Sequence, residues 1–256
     1  MAKAARVLDV LDIRPAVTDG DITRLNERFA GAETLDVVRA VLAENLLGNA
    51  AIVSSFGAES AILLHLIGTI EPNIPVLFLD TGKHFPETLS YRDALVAQLG
   101  LTNLINLTPN AEALQAKDAT GLRWSYDPDG CCAIRKVQPL EKALLDFDAT
   151  ITGRKGFQSK TRAGLALFDR DGDRIKFNPL AGWTKQELDA YVALNHLPPH
   201  PLVSMGYPSI GCAPCTSKVL PGEDPRSGRW RGWEKVECGI HTPVTMLGDP
   251  SIEPVF

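Results

Sequence analysis

Five cysteines are the residues whose types and spacing most directly indicate chemistry in this chain. Cys131 and Cys132 are adjacent, and Cys212 and Cys215 form a Cys-x-x-Cys pair. Four soft thiolates in two tight pairs suit zinc or an iron–sulfur cluster better than core packing. A redox-active Cys-x-x-Cys is the alternative, but this pair lies in a Pro/Gly-rich segment far from any strand-to-helix junction. We therefore predict a four-thiolate metal site.

The fifth cysteine, Cys238, stands apart in the motif Glu237-Cys-Gly-Ile-His241 and follows a basic, aromatic stretch, residues 226–233. A cysteine near cations can persist as a thiolate and act as a nucleophile. His241 could activate it, or the two side chains could form half of a further metal site. A lone cysteine is more often buried and inert, so the other motifs decide between these interpretations.

Two loops have the composition of an anion or nucleotide site. The first, Ser54-Ser-Phe-Gly-Ala-Glu-Ser60, lies between a predicted strand and a predicted helix, where backbone N–H groups and the helix dipole favour an anion. Its candidate binding residues are Ser55, Gly57 and Ser60. It lacks the Lys-Ser/Thr pair of a Walker loop, so it requires neither magnesium nor a triphosphate. A serine-capped turn without a ligand explains the loop equally well by itself.

The second loop, Leu79-Asp-Thr-Gly-Lys-His-Phe-Pro-Glu-Thr88, begins where the next predicted strand ends. Carboxylates at such positions commonly meet nucleoside groups in open α/β folds, which makes Leu79 and Asp80 candidates for substrate binding. A turn followed by a helix that starts at Pro86 is the alternative, and spacing alone does not separate the two.

Strands and helices alternate in the predicted core, residues 34–197. Helical apolar spacing covers 34–46, 59–70, 86–99 and 132–147, and the capping box Thr184-Lys-Gln-Glu187 starts a helix that runs to about 197. Apolar runs predict buried strands at 50–56, 75–80, 104–107 and 149–152, and Asp171-Gly172 predicts a hairpin turn. The expected fold is α/β, an open, mostly parallel sheet with helices on both faces and a ligand site at the strands' carboxyl ends.

Beyond this core the composition changes, because residues 198–232 are crowded with Pro and Gly. This pattern predicts a segment with little regular structure that wraps the core. We therefore predict one domain, 1–256, in which a C-terminal segment, 198–256, carries the Cys-x-x-Cys pair and Cys238.

Composition and charge limit the classes of function. The 256 residues are 45% hydrophobic and 22% charged, as in a soluble globular protein, and the net charge is −5. A general nucleic-acid coat needs a basic surplus, so we expect no nucleic-acid partner. The start of the chain lacks the uninterrupted apolar run of a signal peptide, and the longest apolar stretch, 61–70, is far shorter than the roughly 20 residues that cross a bilayer. We expect a cytoplasmic protein with reduced thiols and no membrane partner.

An anion bound by this acidic chain must be held by a local group of cations. The candidates are Arg135, Lys136, Arg154, Lys155, Lys160, Arg162, Arg226, Arg229 and Arg231. Most single Lys or Arg residues are merely solvated, but several of these lie beside the motifs above. Their placement suits capture of a small, multiply charged anion such as a nucleotide phosphosulfate.

Together, five ordered segments resemble those of assimilatory adenylyl-sulfate reductases. They are the Ser54–Ser60 loop, Leu79-Asp-Thr-Gly82, Cys131-Cys-Ala-Ile-Arg-Lys-Val-Gln-Pro-Leu140, Tyr207-Pro-Ser-Ile-Gly-Cys-Ala-Pro-Cys215 and Glu237-Cys-Gly-Ile-His241. The resemblance spans about residues 50–241, and the ordered set is specific although each loop alone is weak. It implies a fold of the adenine nucleotide α-hydrolase type, which agrees with the alternation of elements. One departure is the loop at 154–159, where the acidic residue that usually precedes Gln-Ser is missing.

The resemblance also implies a chemistry. The four paired cysteines, Cys131, Cys132, Cys212 and Cys215, would bind one [4Fe-4S] cluster. Cys238 would attack the sulfur of adenosine 5′-phosphosulfate, AMP would leave, and thioredoxin or glutaredoxin would release sulfite by thiol attack.

The same resemblance assigns the remaining roles. Lys136 would act in catalysis, and Arg226 and Arg229 would contact the phosphosulfate. The nucleotide crevice would be lined by Ser55, Gly57, Leu79 and Gly153, with Arg162 on a covering loop. Relatives of this kind are commonly homo-oligomers, so we expect one here.

Three other hypotheses differ in substrate or class. The first is the same reaction on the 3′-phosphorylated nucleotide, whose specific enzymes commonly lack the cluster cysteines. The second is an ATP-consuming adenylating enzyme of the ATP pyrophosphatase type, which would need a Ser-Gly-Gly-x-Asp-Ser loop in place of Ser54–Ser60. The third is a four-cysteine zinc module that binds nucleic acid, which conflicts with the acidic charge and the long gap between the cysteine pairs.

Overall fold

The structure is a computed structural model that describes residues 17–158 and 162–240. The start of the chain, Lys160 and His241 lie outside the described residues. The helices are α1 (Asp19–Arg28), α2 (Thr34–Ala43), α3 (Ser60–Gly68), α4 (Pro86–Gln98), α5 (Ala111–Lys117), α6 (Pro128–Cys132), α7 (Gln138–Leu144), α8 (Lys185–Leu194) and α9 (Pro201–Ser204). The strands are β1 (Ala50–Ser54), β2 (Val76–Leu79), β3 (Leu104–Leu107), β4 (Ala149–Thr152), β5 (Phe168–Asp171) and β6 (Arg174–Phe177).

The six strands form one sheet in the order β3-β2-β1-β4-β6-β5. Neighbours pair in parallel except β5 and β6, which form an antiparallel hairpin. Gly172 in the hairpin turn has φ +63°, the left-handed conformation that glycine tolerates best. The predicted α/β fold with an open, mostly parallel sheet is therefore confirmed.

The strand order reverses between β1 and β4. From β1 the chain builds outward through β2 to β3, and it then returns to place β4 on the other side of β1. In open α/β sheets, ligands bind outside the carboxyl ends of the strands at such a reversal. The segments at the carboxyl ends of β1 and β4, which start at Ser54 and Gly153, therefore lie where folds of this kind bind a ligand.

Side chains alternate along the strands, so apolar side chains point to both faces of the sheet. Helices cover both of these apolar faces. On one face, Ile52 and Phe78 pack in a large apolar cluster with the residues of α3. On the other face, Ala51 and Leu77 pack against Leu140 of α7 in a smaller cluster. The interior strand β2 is buried over its whole length, which explains its continuous apolar sequence.

The structure differs from the predicted elements in two ways. The helix predicted at 132–147 begins earlier, at Pro128 with α6, and ends earlier, at Leu144 with α7, and a π-helical turn at Ala133–Val137 interrupts it. Pro139 has no N–H to donate to the carbonyl four residues earlier, so the regular α-helical pattern is interrupted there. The short or weakly apolar helices α1, α5 and α9 were not predicted.

The C-terminal segment is described as far as residue 240. Between residues 198 and 232 its helical structure consists of α9 and one 3-10 turn, Ala213–Cys215, in agreement with the Pro/Gly-rich composition. Across the described ranges, none of the helices combines the length and apolar character needed to cross a membrane.

Candidate active site

A cavity of about 470 Å³ opens at the carboxyl ends of β1 and β4, where the strand order reverses. Its floor includes Ser54, Thr152 and Gly153, and the C-terminal segment forms the opposite wall. Eleven of the candidate site residues line it: Ser55, Gly57, Ser60, Leu79, Lys136, Gly153, Arg162, Cys212, Arg226, Arg229 and Cys238. Residues up to 183 positions apart, such as Ser55 and Cys238, thus share one cavity.

Four candidate residues do not line the cavity, namely Asp80, Cys131, Cys132 and Cys215. The Asp80 carboxylate accepts a hydrogen bond from the backbone N–H of Gly82 at 3.1 Å and so stabilises the turn after β2. Cys131 and Cys132 are buried on α6, and Cys215 ends the 3-10 turn that follows Cys212.

The Ser54–Ser60 loop is shaped by a buried aromatic side chain. Phe56 is fully buried with φ +49°, and its ring packs edge-on against Phe78 at 5.6 Å. The Ser54 hydroxyl accepts a hydrogen bond from the Phe56 N–H at 3.2 Å. The following helix, α3, has no side-chain cap, so its first N–H groups are free of side-chain acceptors and favour an anion at the cavity.

The cavity is strongly cationic although the whole chain is acidic. Its lining contains seven basic side chains, Lys136, Arg154, Lys155, Arg162, Lys185, Arg226 and Arg229, and three acidic ones, Glu59, Asp224 and Glu237. Several of the cations are paired: Lys155 lies 2.7 Å from Glu59, and Arg154 lies 3.3 Å from Asp169. Arg162 and Arg226 pair with Glu237, and Lys185 pairs with Asp189. Lys136 and Arg229, which pair with no carboxylate of the described residues, give the cavity the local charge that an anionic ligand requires.

Lys136 forms no ion pair with any carboxylate in the described part of the chain. Its ammonium is enclosed, and burial alone would lower its pKa, but the neighbouring thiolates of Cys212 and Cys238 outweigh burial and raise the Lys136 pKa. In return, Lys136 lowers the pKa of Cys212 against the opposing effect of burial. Lys136 is therefore a fixed cation held between sulfur atoms.

Arg229 is the second basic side chain of the cavity lining that lacks a carboxylate partner among the residues described. Its guanidinium is buried, which lowers its pKa, while the Cys238 thiolate opposes that shift. One nitrogen, Nη1, donates to the carbonyl of Ile210 at 3.2 Å, and the guanidinium lies 4.5 Å from the centre of the Trp230 ring. The buried Nε has no hydrogen-bond partner. A buried, unsatisfied cationic donor at a cavity wall is suited to an anionic ligand.

All five cysteines are free thiols. Burial raises the pKa of Cys132 to about 11 and also raises the pKa values of Cys131 and Cys215. The Cys212 thiol lies 3.3 Å from the hydroxyl of Thr81, which belongs to the turn after β2. The two cysteine pairs interact electrostatically with each other, so the fold brings α6 and the 3-10 turn at Ala213–Cys215 together.

Comparison with known proteins identifies the family. The phosphoadenosine phosphosulfate reductase domain matches residues 49–218. Over 217 residues the chain is 50% identical to the adenosine 5′-phosphosulfate reductase of Mesorhizobium japonicum, which covers 85% of each protein. The chain belongs to the phosphoadenosine phosphosulfate reductase family. The resemblance carried by the five sequence segments is thereby confirmed.

Members of the family carry two substrate names. A relative from Gloeobacter violaceus, 45% identical over 74% of this chain and 81% of its own, is named phosphoadenosine 5′-phosphosulfate reductase. The crystal structure of the phosphoadenylyl-sulfate (PAPS) reductase from Candida auris, a phosphate complex, is 25% identical. It covers 80% of this chain and 99% of its own with a TM-score of 0.66. The family's fold thus agrees with the sheet described above.

The four paired cysteines match a cluster-type donor set more closely than a mononuclear one. Within residues 17–158 and 162–240, no three His, Cys, Asp or Glu side chains converge closely enough to hold a single ion. Four iron atoms bridged by sulfide separate their thiolate ligands more widely than one tetrahedral ion does. Four free thiols whose two pairs interact electrostatically across the fold fit such a group.

Several lining residues were absent from the site predicted by sequence. Glu59 accepts hydrogen bonds from Lys155 at 2.7 Å and from Gln158 at 3.0 Å, so it joins the Ser54–Ser60 loop to the loop after β4. The His84 Nε2 lies 2.8 Å from the carbonyl of Leu79, and burial lowers the His84 pKa. Glu59 and His84 stand inside the quoted motifs, so a prediction that included every polar motif residue would have found them.

Proposed function

We propose that this chain reduces adenosine 5′-phosphosulfate to sulfite and AMP, as a step of sulfate assimilation that supplies cysteine biosynthesis. One observation carries the proposal: Cys238 lines the same cavity as the Ser54–Ser60 loop and the cations Lys136 and Arg229. The Ser54–Ser60 loop, two cations and a thiol therefore line one cavity of about 470 Å³, which supports the proposal. The name of the Mesorhizobium japonicum relative supports this substrate.

The nucleotide is proposed to lie across the carboxyl ends of β1 and β4. Leu79 and Gly153 would contact the adenosine, and Ser55, Gly57 and Ser60 would contact its phosphate at the start of α3. The terminal sulfate would then face Arg226 and Arg229 of the opposite wall and Arg162 of the loop after β4, because guanidinium groups form strong hydrogen bonds to anions.

The first chemical step is a displacement at sulfur. The Cys238 thiolate attacks the sulfur of the sulfate group. A bond forms between the Sγ of Cys238 and that sulfur, and the bond from that sulfur to the phosphate oxygen breaks. AMP leaves with the electron pair of the broken bond, and the enzyme retains a Cys238 S-sulfonate. Lys136 and Arg229 would stabilise the charge that develops on the leaving phosphate, because fixed cations in an enclosed site act without reorganisation.

The second step needs a dithiol reductant, for which we propose thioredoxin or glutaredoxin. One of its thiolates attacks the Sγ of Cys238, and sulfite leaves with the electron pair of the S–S bond. The second thiol of the reductant then attacks the mixed disulfide and restores the Cys238 thiol. The reductant is oxidised to its disulfide, and these two electrons account for the reduction of the substrate to sulfite.

A [4Fe-4S] cluster is proposed to be held by Cys131, Cys132, Cys212 and Cys215. When bound, it would supply a structural clamp between α6 and the C-terminal segment and a local charge near Lys136, with no net electron transfer. The residues of this chain that act on the substrate are those of the cavity. We further propose that the protein is cytoplasmic and assembles as a homo-oligomer.

The 3′-phosphorylated nucleotide is the second candidate substrate, because a relative that is 45% identical is named for it. The experiment is anaerobic purification followed by sulfite-release assays on both nucleotides with thioredoxin present. We expect the wild type to show a higher kcat/KM for adenosine 5′-phosphosulfate than for the 3′-phosphorylated nucleotide. We expect Cys238→Ser to be inactive. Wild type and variant should each contain about four iron and four sulfide ions per chain. Retained iron in the variant is the control that the site is intact. Preference for the 3′-phosphorylated nucleotide, or an active Cys238→Ser, would overturn the proposal.

A further inference from the structure

The residue before the proposed nucleophile, Glu237, pairs with two arginines that line the cavity. The Oε1 of Glu237 accepts hydrogen bonds from Arg162, with distances of 3.0 Å from Nε and 2.7 Å from Nη2, and its Oε2 lies 3.3 Å from Nη2 of Arg226. Arg162 follows the loop after β4, whereas Arg226 belongs to the C-terminal segment. One carboxylate thus bridges two sides of the cavity mouth.

This bridge is partly shielded from solvent. The side chains of Arg162 and Glu237 are 11% and 28% exposed, so water screens their attraction only partly. Each arginine is also held by a second acceptor: Arg162 donates to Gln158 at 2.8 Å, and Arg226 donates to the carbonyl of Val236 at 2.8 Å. Each guanidinium group is therefore held by more than one acceptor.

The neighbouring contacts fix the chain on either side of the bridge. Lys235 pairs with Asp129 of α6, and its ammonium lies 5.5 Å from the centre of the Trp230 ring. Gly239 has φ +85°, so the chain turns in a conformation that disfavours other residues, and Ile240 packs against the smaller apolar cluster. Between these two anchors, Glu237 is the polar contact next to Cys238.

We infer that Glu237 is a positioning residue, whose carboxylate bridges Arg162 and Arg226 and thereby holds Cys238 over the cavity. The expected effect on catalysis rests on the proposed function. The expected effect on how firmly Cys238 is held does not. Correct placement of a reacting atom is worth large factors in rate, and a displacement of about 1 Å can cost about 100-fold. Loss of the bridge should therefore slow attack by Cys238 without removing the nucleotide site.

The test compares Glu237→Gln with Glu234→Gln. Glu234 lies in the same segment, is exposed and forms no ion pair with any described residue, so it controls for loss of one charge. Glu237→Asp keeps the charge but shortens the side chain, and we expect an intermediate effect from it. Thermal unfolding of all three variants confirms that each is folded.

The first measurement needs no substrate. Iodoacetamide alkylation of Cys238, quantified by peptide mapping, is carried out well above the usual thiol pKa of about 8.5, where the rate reports access. We expect Glu237→Gln to react severalfold faster than the wild type and Glu234→Gln to match the wild type. Equal rates in Glu237→Gln and the wild type would overturn the inference, whether or not the proposed function holds.

The second measurement separates positioning from pocket maintenance. We expect single-turnover formation of the Cys238 S-sulfonate to slow about tenfold in Glu237→Gln, while the Kd for AMP is unchanged or lower. An equal loss of rate and AMP affinity would assign Glu237 to upkeep of the pocket and contradict its positioning role. If the wild type forms no S-sulfonate at all, the proposed function fails, and the alkylation result still decides the inference.

Discussion

The sheet and the C-terminal segment of this protein are held together by different forces. In the sheet, β2 and the helix α3 are buried almost throughout, and their side chains pack in two apolar clusters, one on each face of the sheet. In the C-terminal segment from residue 198 to 240, helices are short and many contacts are ion pairs or hydrogen bonds that bridge distant parts of the chain. Apolar burial is hard to reverse, whereas ionic contacts can be exchanged for a ligand. The packed region thus lies under the cavity, and Cys238, the proposed nucleophile, lies on the segment that can exchange its contacts.

The largest effect on stability should come from the sheet. Phe168 on β5 is fully buried, stacks on Phe177 at 4.8 Å and contacts Phe29 at 5.9 Å. Phe168→Ala should lower the free energy of unfolding by about 3–5 kcal/mol because it leaves a cavity in a packed cluster. Urea unfolding measures this loss. The control is Trp233→Ala in the C-terminal segment, whose side chain is exposed, and a similar loss there would contradict the contrast between the two regions.

The next effect should fall on activity and leave the fold intact. Arg229→Met replaces a buried cation that lacks a described carboxylate partner with an apolar side chain of similar length. We expect kcat/KM to fall by about 100-fold, with an unchanged or higher melting temperature because a buried charge is removed. The matched control is Arg231→Met, two residues away. A destabilised Arg229→Met with normal activity would show that Arg229 serves the fold.

A third effect lies where the two regions join. His200 is buried, its Nδ1 accepts the N–H of Leu202 at 3.2 Å, and its Nε2 lies 3.2 Å from the Thr88 hydroxyl. Burial lowers the His200 pKa from the usual 6.5 to about 4. Between these pH values the unfolded chain binds a proton that the folded chain does not. The stability from neutral His200 is therefore complete above pH 6.5 and is lost as the pH falls towards 4.

From pH 7 to pH 5 this linkage should remove about 2 kcal/mol of the free energy of unfolding. His200→Asn keeps an acceptor at the start of α9 but removes the titrating group. The difference between wild type and variant, measured by urea unfolding at both pH values, isolates the contribution of His200. An identical pH dependence in both proteins would refute it.

The smallest effect should come from an exposed ion pair of the C-terminal segment. Arg231 lies 3.0 Å from Glu223, and both side chains are in contact with solvent. Exposed pairs contribute little, so Arg231→Met should shift the melting temperature by no more than about 1 °C. A large shift would mean that surface ion pairs, and not only the buried bridge at Glu237, hold this segment in place.

The sheet could be predicted from sequence because its signals are local. Apolar runs located β1 to β4, and Asp171-Gly172 located the hairpin of β5 and β6. The capping box at Thr184 and Glu187 is present in the structure as predicted. The division of the helix at 132–147 was missed because apolar spacing does not register the N–H that Pro139 lacks.

The site could be predicted only in part. Short motifs and a family resemblance singled out residues that line the cavity, including Gly57, Lys136 and Cys238. The contacts that orient them join positions far apart in the chain, such as Glu59 with Lys155 and Arg162 with Glu237. No spacing rule pairs such residues, because the fold alone brings their charges within reach. Asp80 shows the converse, since its position after β2 suited a ligand but its carboxylate stabilises a turn.

The most direct measurement of the central claim is mass spectrometry of the protein after a single turnover without reductant. Adenosine 5′-phosphosulfate is mixed with an excess of anaerobic enzyme, and the reaction is quenched and mapped by peptide. The account predicts one added SO3 unit on Cys238, one AMP released per adduct, and sulfite only after thioredoxin is supplied. Sulfite released without an adduct, or an adduct on a cysteine other than Cys238, would contradict it.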